Sequence, residues 1–382
     1  MKAAVWVRRI PWWIPLAAAG LMGLGLLGLA RCEDFGDGQR HYLRQQMLWA
    51  ALGMMAMLAA TLPSYRRLCH WSYAIFGLAV LLLVAVYFFR PVNGAHRWVR
   101  WGHVGLQPSE FATVAFVLAL GRYLMYRENY RRLHGLLVPL ALTTLPVLLV
   151  LKEPDLGTAS VFLPVLFIML LVAGARRGDL LRVLMAGVVL LPLFWVQMSP
   201  YQKSRIKVLL NPPAPGQKPL TDAYQLYQAR KIMALGGPWG SFFSADHERV
   251  LATPDLAVYH LPEDHTDFIF CVLGERFGLP GLALVLLLYG LIVWRTAAVA
   301  VQTREPFGRL LTAGVAALLA VQVLINTGVT VGLLPVTGLP LPLVSYGGSG
   351  LLAHCLALGL VLNVALRPGY EVTNEPFRYR IE

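Results

Sequence analysis

The sequence predicts an all-α polytopic membrane protein with about ten transmembrane helices, forming a single integral membrane domain over residues 1–382. Of its residues, 57% are hydrophobic and 14% are charged, whereas a soluble chain carries roughly a quarter charged residues. Apolar segments recur along the chain near the ~20-residue length that a bilayer-spanning helix needs. Basic residues punctuate the links between these segments and give them a consistent orientation.

The ten segments lie near residues 12–30, 45–63, 72–89, 109–126, 135–151, 157–175, 181–198, 267–294, 310–331 and 349–366. The first is longer than the apolar core of a signal peptide, and further spans follow it. We therefore expect an uncleaved first helix.

Placing the N-terminus in the cytoplasm makes every short cytoplasmic link basic, as the positive-inside rule requires. These links and the tail (residues 367–382) hold Lys2, Arg8, Arg9, Arg66, Arg67, Arg127, Arg131, Arg132, Arg176, Arg177, Arg182, Arg295, Arg304, Arg309, Arg367, Arg378 and Arg380. Both termini are then cytoplasmic, and a long extracytoplasmic loop (about residues 199–266) joins the seventh and eighth spans. Few of the basic residues behind the formal charge of +13 form a dense run, and most of them punctuate apolar segments. The charge therefore orients helices and does not indicate nucleic-acid binding.

The outward links also carry cations, among them Arg97, Lys152 and Arg205. Cations gathered on one face predict an anionic ligand there, such as a phosphate or pyrophosphate. The alternative is that they meet anionic lipid headgroups.

The link between the ninth and tenth spans, residues 332–350, is uncharged and rich in Pro and Gly. Such a segment cannot stay helical, so its backbone must be buried in protein or line a polar cavity. Its hydroxyls, on Ser345, Tyr346 and Ser349, are candidate ligand contacts. A tight turn is the alternative, but the segment is long for one.

Asp267 stands where a hydrophilic run with three acids (Glu263, Asp264 and Asp267) meets a long apolar segment. An ionisable group at the mouth of a membrane helix is costly unless something uses it. The alternative is a capping residue, a role in which Asp is common. None of the four cysteines has metal-ligand spacing, so no metal site is predicted from them.

Four stretches form a set: NGAHRWVRWGHVGLQPSEFAT (93–113), EPDLGTA (153–159), LPEDHTDFIFCVLGERFG (261–278) and NTGVTVGLLPVTGLPLPLVSYGGSG (326–350). Together they closely resemble the SEDS family (shape, elongation, division and sporulation), which comprises the RodA and FtsW proteins. The similarity runs from about residue 44 to 366, and the wording PVTGLPLPLVSYGG resembles RodA, of cell elongation, more than FtsW, of division.

The resemblance implies the ten-helix SEDS fold and a peptidoglycan glycosyltransferase of the bacterial cytoplasmic membrane, with its active site on the outer face. Such an enzyme joins lipid II disaccharides by β-1,4 bonds and releases undecaprenyl pyrophosphate. The family's essential acid lies in the motif HTDFIF, which places it on Asp267. A single carboxylate suits the task of general base, because the acceptor hydroxyl must lose a proton and inversion needs no covalent intermediate.

The resemblance and the chemistry also nominate substrate-binding residues. Cations would stabilise the leaving pyrophosphate, with Arg97 as first choice; Trp98 would meet a sugar face or anchor at the interface. Asp155 is expected either to touch substrate or to cap a helix. The full predicted set is Arg44, Arg97, Trp98, Gln107, Ser109, Glu110, Asp155, Arg205, Gln228, Lys231, His265, Thr266, Ser345, Tyr346 and Ser349, whereas Glu263 and Asp264 are expected to be solvated loop charges.

Some positions depart from the family pattern. Thr113 stands where a lysine usually pairs with Glu110, so Glu110 needs Arg97 or Arg100 as its cation or must be protonated. Arg276 replaces a usual second acid, Gly350 replaces a serine, and the glycine-rich run after the loop glutamine reads LGGPWGSFFS.

The implied partners are lipid II, the nascent glycan strand, a class B penicillin-binding protein and other membrane proteins of the elongation complex. A divalent cation (Mg²⁺ or Mn²⁺) could accompany the pyrophosphate, although the sequence shows no clear acidic cluster to hold one. Two other functions stay open: a lipid II flippase, and an inactive scaffold of the elongation complex, which Thr113 favours slightly.

Overall fold

The computed structural model describes residues 10–34, 42–91, 96–101, 104–127, 129–198, 200–210, 222–243, 261 and 263–367. The predicted basic N-terminal residues and all of the tail beyond Arg367 lie outside them. The helices are α1 (Trp13–Asp34), α2 (Tyr42–Ala59), α3 (Tyr65–Ala85), α4 (Pro108–Tyr126), α5 (Leu137–Lys152), α6 (Leu156–Ala173), α7 (Arg177–Gln197), α8 (Pro200–Leu210), α9 (Asp222–Leu235), α10 (Ile269–Gln302), α11 (Pro306–Thr330) and α12 (Gly348–Leu366).

A helix lies at each of the ten predicted spans, and the predicted all-α polytopic membrane fold is confirmed. Seven of the described helices, α1, α3, α5, α6, α10, α11 and α12, are long and apolar enough to cross a membrane by length and composition. The other three helices at predicted spans are α2, α4 and α7, and of these α2 and α4 carry charged residues in their first turns, Arg44 and Glu110. The chain is therefore a multi-pass membrane protein.

Between α3 and α4 the chain forms a small antiparallel hairpin of β1 (Val99–Trp101) and β2 (Val104–Leu106). Val99 pairs with Leu106 and Arg100 with Gly105. Short 3₁₀ turns at Val86–Phe88, Asn129–Arg131 and Leu133–Leu136 complete the links around α3 and α5.

The core lies between α10, α11 and α12 and the helices packed on them. α10 packs on α1, α9 and α11; α12 packs on α2; and α11 packs on α4 and α6. Residues of α11 and α12 are buried on most sides, which is expected for helices at the centre of a bundle. Helices α2, α3 and α7 expose leucine, methionine and valine side chains to the surroundings.

α10 bends at Gly278, whose φ of 61° and ψ of −155° interrupt the helical backbone, and Pro280 follows. Just before the bend, Glu275 accepts two hydrogen bonds from Arg31 of α1, at 2.9 and 3.1 Å. Both side chains are almost fully buried. This ion pair fastens the first helix to the segment that leads to Asp267.

The Pro- and Gly-rich segment from Val331 to Gly347 contains no helix, as its composition predicted. Leu339, Leu341, Leu343 and Val344 are buried. Its irregular backbone is thus enclosed by protein, the setting in which a membrane protein tolerates such a segment.

Candidate active site

Asp267 lies in a turn that precedes α10, outside the span itself. The N–H groups of Thr266, Asp267 and Phe268 all point at the carbonyl of Glu263, at 3.1–3.3 Å. The N-cap position of α10 is Phe268, and no side chain caps it. The structure therefore gives no support to the alternative that Asp267 is a capping residue.

The turn that carries Asp267 is held by hydrogen bonds from α11 and from the Pro- and Gly-rich segment Val331–Gly347, referred to below as the broken segment. The Ser345 hydroxyl donates to the Thr266 carbonyl at 2.5 Å, and the Tyr346 N–H donates to the His265 carbonyl at 2.9 Å. The Asn326 amide of α11 donates to the carbonyl of Asp267 at 2.9 Å and to that of Leu339 at 2.8 Å. Hydrogen bonds from two other elements thus fix the backbone that carries the carboxylate.

The Asp267 carboxylate faces Gly338. A Cβ at Gly338 would lie 3.5 Å from Asp267 Oδ2 and 3.9 Å from an Arg205 guanidinium nitrogen, and Gly338 has a φ of +76°. That conformation favours glycine. Arg205 of α8 also donates to the Val336 carbonyl at 2.9 Å, so the broken segment brings a loop cation and the carboxylate together.

This environment shifts the titration of Asp267. Burial raises the pKa of Asp267 to about 7, with a smaller rise from Glu263, while Arg205 lowers it. Asp155 raises the pKa and Arg97 lowers it to smaller extents. A carboxylate poised near neutral pH can accept and return a proton, which is what a general base requires.

Arg97 and Asp155 both lie at the junction of α5 and α6. The Arg97 guanidinium donates to the carbonyls of Glu153 at 3.0 Å and Pro154 at 2.5 Å. Asp155 caps α6 by accepting from the Thr158 N–H and hydroxyl, at 3.1 and 3.0 Å, which agrees with the capping alternative. Burial, and then Asp155, raise the pKa of Glu153 to about 8 against the opposing charge of Arg97.

The hairpin residues support the start of α4 and α12. Trp98 lies over Gly105, where a Cβ would come within 3.2 Å of the ring. The Ser349 hydroxyl accepts from the Gln107 N–H at 3.0 Å and donates to the Gly105 carbonyl at 3.2 Å. Ser349 and Gln107 therefore join two helix starts.

Glu110 is buried on α4, and no hydrogen bond within the described part of the chain reaches either of its carboxylate oxygens. Neighbouring Ser109 is buried and its hydroxyl is likewise unsatisfied. A Cβ at Gly350 would lie 3.6–3.8 Å from the Glu110 carboxyl group. Of the three predicted possibilities, a hydrogen bond from Arg97 or from Arg100 to Glu110 is not found among the described residues, and Arg97 donates instead to the carbonyls of Glu153 and Pro154. A protonated Glu110 stays a prediction.

The prediction that Asp264 is a solvated loop charge is wrong, whereas Glu263 is exposed as expected. Asp264 is 4% exposed, because its carboxylate turns inward and accepts from the His265 N–H at 2.8 Å and contacts the His265 ring at 3.1 Å. The His265 ring stacks on Tyr42 with centroids 4.2 Å apart. Composition could not reveal this turn geometry.

The remaining predicted residues lie on the elements around the turn. Arg44 is exposed on the first turn of α2, Gln228 of α9 donates to the Tyr224 hydroxyl at 2.7 Å, and Lys231 is half-buried on α9. α9 itself packs Ala229 and Ile232 with Phe268 in one apolar cluster. The substrate roles of all three stay predictions.

Sequence reasoning missed several residues that hold the site. Asn326 fixes the Asp267 carbonyl, and Gln46 of α2 donates to the Ser345 carbonyl at 3.0 Å and accepts from the Gly347 N–H at 3.2 Å. The Tyr346 hydroxyl donates to Gln45. A polar amide inside an apolar segment was the available signal, since such groups need partners in a membrane.

The site is poorly suited to a metal ion. Each Asp155 oxygen already accepts a hydrogen bond from Thr158, and the Arg205 guanidinium lies beside the Asp267 carboxylate at Gly338. Within the described ranges no group of three or more His, Cys, Asp or Glu side chains could hold a metal ion.

A family model and a relative of known name both match most of this chain. The family model FTSW_RODA_SPOVE, described as a cell cycle protein, matches residues 12–368. The Thioalkalivibrio sulfidiphilus protein named "Probable peptidoglycan glycosyltransferase FtsW" is 35% identical, over 94% of this chain and 90% of its own.

Two solved structures share the fold. A chain from a peptidoglycan synthase complex, studied for coordination of polymerization and crosslinking, superposes with a TM-score of 0.77 at 33% identity, covering 93% of this chain and 97% of its own. The rod shape determining protein RodA of Thermus thermophilus superposes with a TM-score of 0.69 at 29% identity, covering 94% and 98%.

Proposed function

Because this chain belongs to the SEDS family of FtsW, RodA and SpoVE proteins, we propose that it is a peptidoglycan glycosyltransferase that polymerises lipid II into β-1,4 glycan strands. The observation that carries the proposal is the Asp267 carboxylate: hydrogen bonds from neighbouring elements fix its backbone, and its pKa is about 7. Relatives bearing the glycosyltransferase name support the reaction class.

In the proposed reaction, the acceptor sugar hydroxyl gives its proton to an oxygen of Asp267. The hydroxyl oxygen attacks the donor's anomeric carbon, forming the new glycosidic bond with inversion. The bond from that carbon to the pyrophosphate oxygen breaks, and undecaprenyl pyrophosphate leaves with the electron pair. The proton on Asp267 then passes to solvent, which returns the base to its starting state.

Arg205 and Arg97 supply positive charge where the leaving pyrophosphate gains negative charge. Both already act on Asp267, since each lowers its pKa. Guanidinium groups suit phosphates because their donors match the oxygens in a bidentate geometry. Arg205 lies on the loop helix α8 and Arg97 beside α5, so a pyrophosphate would bridge the loop and the bundle.

We place the Asp267 end of the bundle on the outer face of the bacterial cytoplasmic membrane, with both termini cytoplasmic. The basic links at the opposite ends of the helices support this orientation. A class B penicillin-binding protein is the proposed partner, which the similarity to a synthase complex that both polymerises and crosslinks supports.

We assign the chain to cell elongation, because residues 335–348 read like RodA. The overall identities do not separate the two roles, since relatives with both names match most of the chain. The assignment is tested by expressing this chain in strains depleted of their own elongation or division enzyme. Rescue of elongation is expected, and rescue of division alone would contradict the assignment.

The function is tested with purified protein, its partner and labelled lipid II in vesicles. The proposal expects glycan strands, resolved by gel electrophoresis. Movement of lipid II between leaflets without strand formation would instead establish a flippase. Failure of both, by a folded protein that still restores cell shape, would establish a scaffold.

A further inference from the structure

A short segment of the long loop, residues 236–243, docks on α10 at its bend; we refer to it as the ledge. Three backbone hydrogen bonds of 2.8–2.9 Å fasten it: Ser241 N–H to the Glu275 carbonyl, Phe242 N–H to the Arg276 carbonyl, and Leu279 N–H to the Pro238 carbonyl. The ledge continues directly from α9, which packs beside Phe268.

Two glycines make this docking possible. A Cβ on Gly240 would collide with the backbone around Gly278, and a Cβ on Gly278 would collide with the backbone of residues 238–240. Both have φ values in the left-handed region, +83° and +61°. The close backbone contact fixes the position of the ledge along α10, so its side chains have a defined height.

The ledge presents aromatic side chains outward. Trp239 is 67%, Phe242 54% and Phe243 62% exposed. The two phenylalanine rings meet edge to face at 5.0 Å, and the Arg276 guanidinium lies 5.0 Å above the Phe242 ring. Large exposed aromatics on a rigid backbone indicate an interaction surface.

The surface is continuous with the lipid-facing side of α10. Leu279, directly after the ledge contact, and Leu287 further along are strongly exposed, as lipid-facing leucines are. Near the other end of the helix, Arg295 lies 4.7 Å from the ring of exposed Trp294, an arrangement typical of a membrane interface. From Gly278 to Arg295 the helix rises about 26 Å, close to the ~30 Å of a bilayer's hydrocarbon core.

If Trp294 and Arg295 mark one boundary, the ledge lies at the other. We propose that Trp239, Phe242 and Phe243 form a lipid anchor that inserts into the phospholipid headgroup and acyl boundary on the Asp267 side of the membrane. Trp is enriched at this level, and Trp and Phe form the inserted face of interfacial membrane anchors. The ledge is fixed to α10 and continuous with α9, and the turn that carries Asp267 directly precedes α10. The anchor therefore sets the height of this turn relative to the bilayer.

The test places a nitroxide spin label on Phe243→Cys, and separately on Trp239→Cys, in phospholipid nanodiscs. Both positions are exposed, so neither change empties the core, and the four native cysteines are buried. Wild-type protein treated with the same label measures background labelling. A label on Leu287→Cys, a strongly exposed position in the middle of α10, gives the reference for a position deep in the bilayer. Depth follows from quenching by oxygen and by a water-soluble nickel complex.

The anchor predicts labels at 239 and 243 within about 10 Å below the phosphate level, shallower than the label at 287 and protected from nickel. Labels that are fully accessible to nickel in nanodiscs would overturn the proposal. Labels that gain nickel protection only when the partner penicillin-binding protein is added would also overturn it, and would make the ledge a protein-docking surface.

Discussion

Replacing Asn326 with alanine tests whether the backbone anchoring of Asp267 matters for turnover. The side-chain amide donates to two carbonyls, those of Asp267 and Leu339, at 2.9 and 2.8 Å. A buried carbonyl left without a partner costs about 1–3 kcal/mol. Because the hydrogen bond to Leu339 is buried but the one to Asp267 is only partly buried, Asn326→Ala should lose about 2–4 kcal/mol of stability. Because a shift of roughly 1 Å in a catalytic group can cost about 100-fold, we expect kcat to fall about 10–100-fold.

Asn363 on α12 offers a matched control. Its amide also donates to two backbone carbonyls, those of Ala60 and Pro63, at 2.7 and 2.6 Å, but at the opposite end of the bundle. The Asn363 side-chain oxygen also accepts from Arg367, so Asn363→Ala should lose at least as much stability as Asn326→Ala and keep its kcat. Thermal unfolding and lipid II polymerisation by the two variants are compared at a temperature where both are folded. Equal turnover in the two variants would refute the positioning role of Asn326.

Three further predictions concern titration, the buried ion pair and the ledge. Because burial raises the pKa of Asp267 to about 7 and a base acts when deprotonated, kcat/KM should fall about tenfold per pH unit below that value; a flat profile from pH 5 to 8 would contradict the role. Glu275→Gln should lower the free energy of unfolding by about 3–5 kcal/mol, because it leaves Arg31 as a buried charge without its carboxylate. Replacing both Arg31 and Glu275 with leucine should recover much of that loss, and an unchanged melting temperature for Glu275→Gln would contradict the importance of the ion pair. Gly240→Ala should destabilise more than Gly237→Ala, since both have positive φ but only the Cβ at 240 meets the backbone of α10; equal melting temperatures would show that the ledge contact is loose.

Composition and local pattern predicted the architecture well. Runs of apolar residues gave ten helices because a bilayer allows few other structures for such segments. The Pro and Gly residues between α11 and α12 predicted broken backbone for the same reason. Asp155, after a proline and three residues before Thr158, carried a local capping signal that the structure bears out.

Contacts between distant parts of the chain could not be predicted. Arg31 and Glu275 pair across 244 positions, and neither residue type indicates its partner. An asparagine in an apolar run, Asn326, indicates that its side-chain amide needs hydrogen-bond partners. It does not indicate that the backbone carbonyl of Asp267 is one of them. The inward turn of Asp264 depends on backbone dihedrals that a run of acids does not encode, which is why the solvated assignment was wrong.

The most direct measurement of the central proposal is lipid II polymerisation by purified Asp267→Ala, with Glu263→Gln as the neighbouring control. Glu263 is exposed and raises the pKa of Asp267, so Glu263→Gln should polymerise with its pH midpoint shifted downward. Asp267→Ala should make no detectable glycan strands while melting as a folded protein. Strands of normal length and amount from Asp267→Ala would contradict the general-base mechanism.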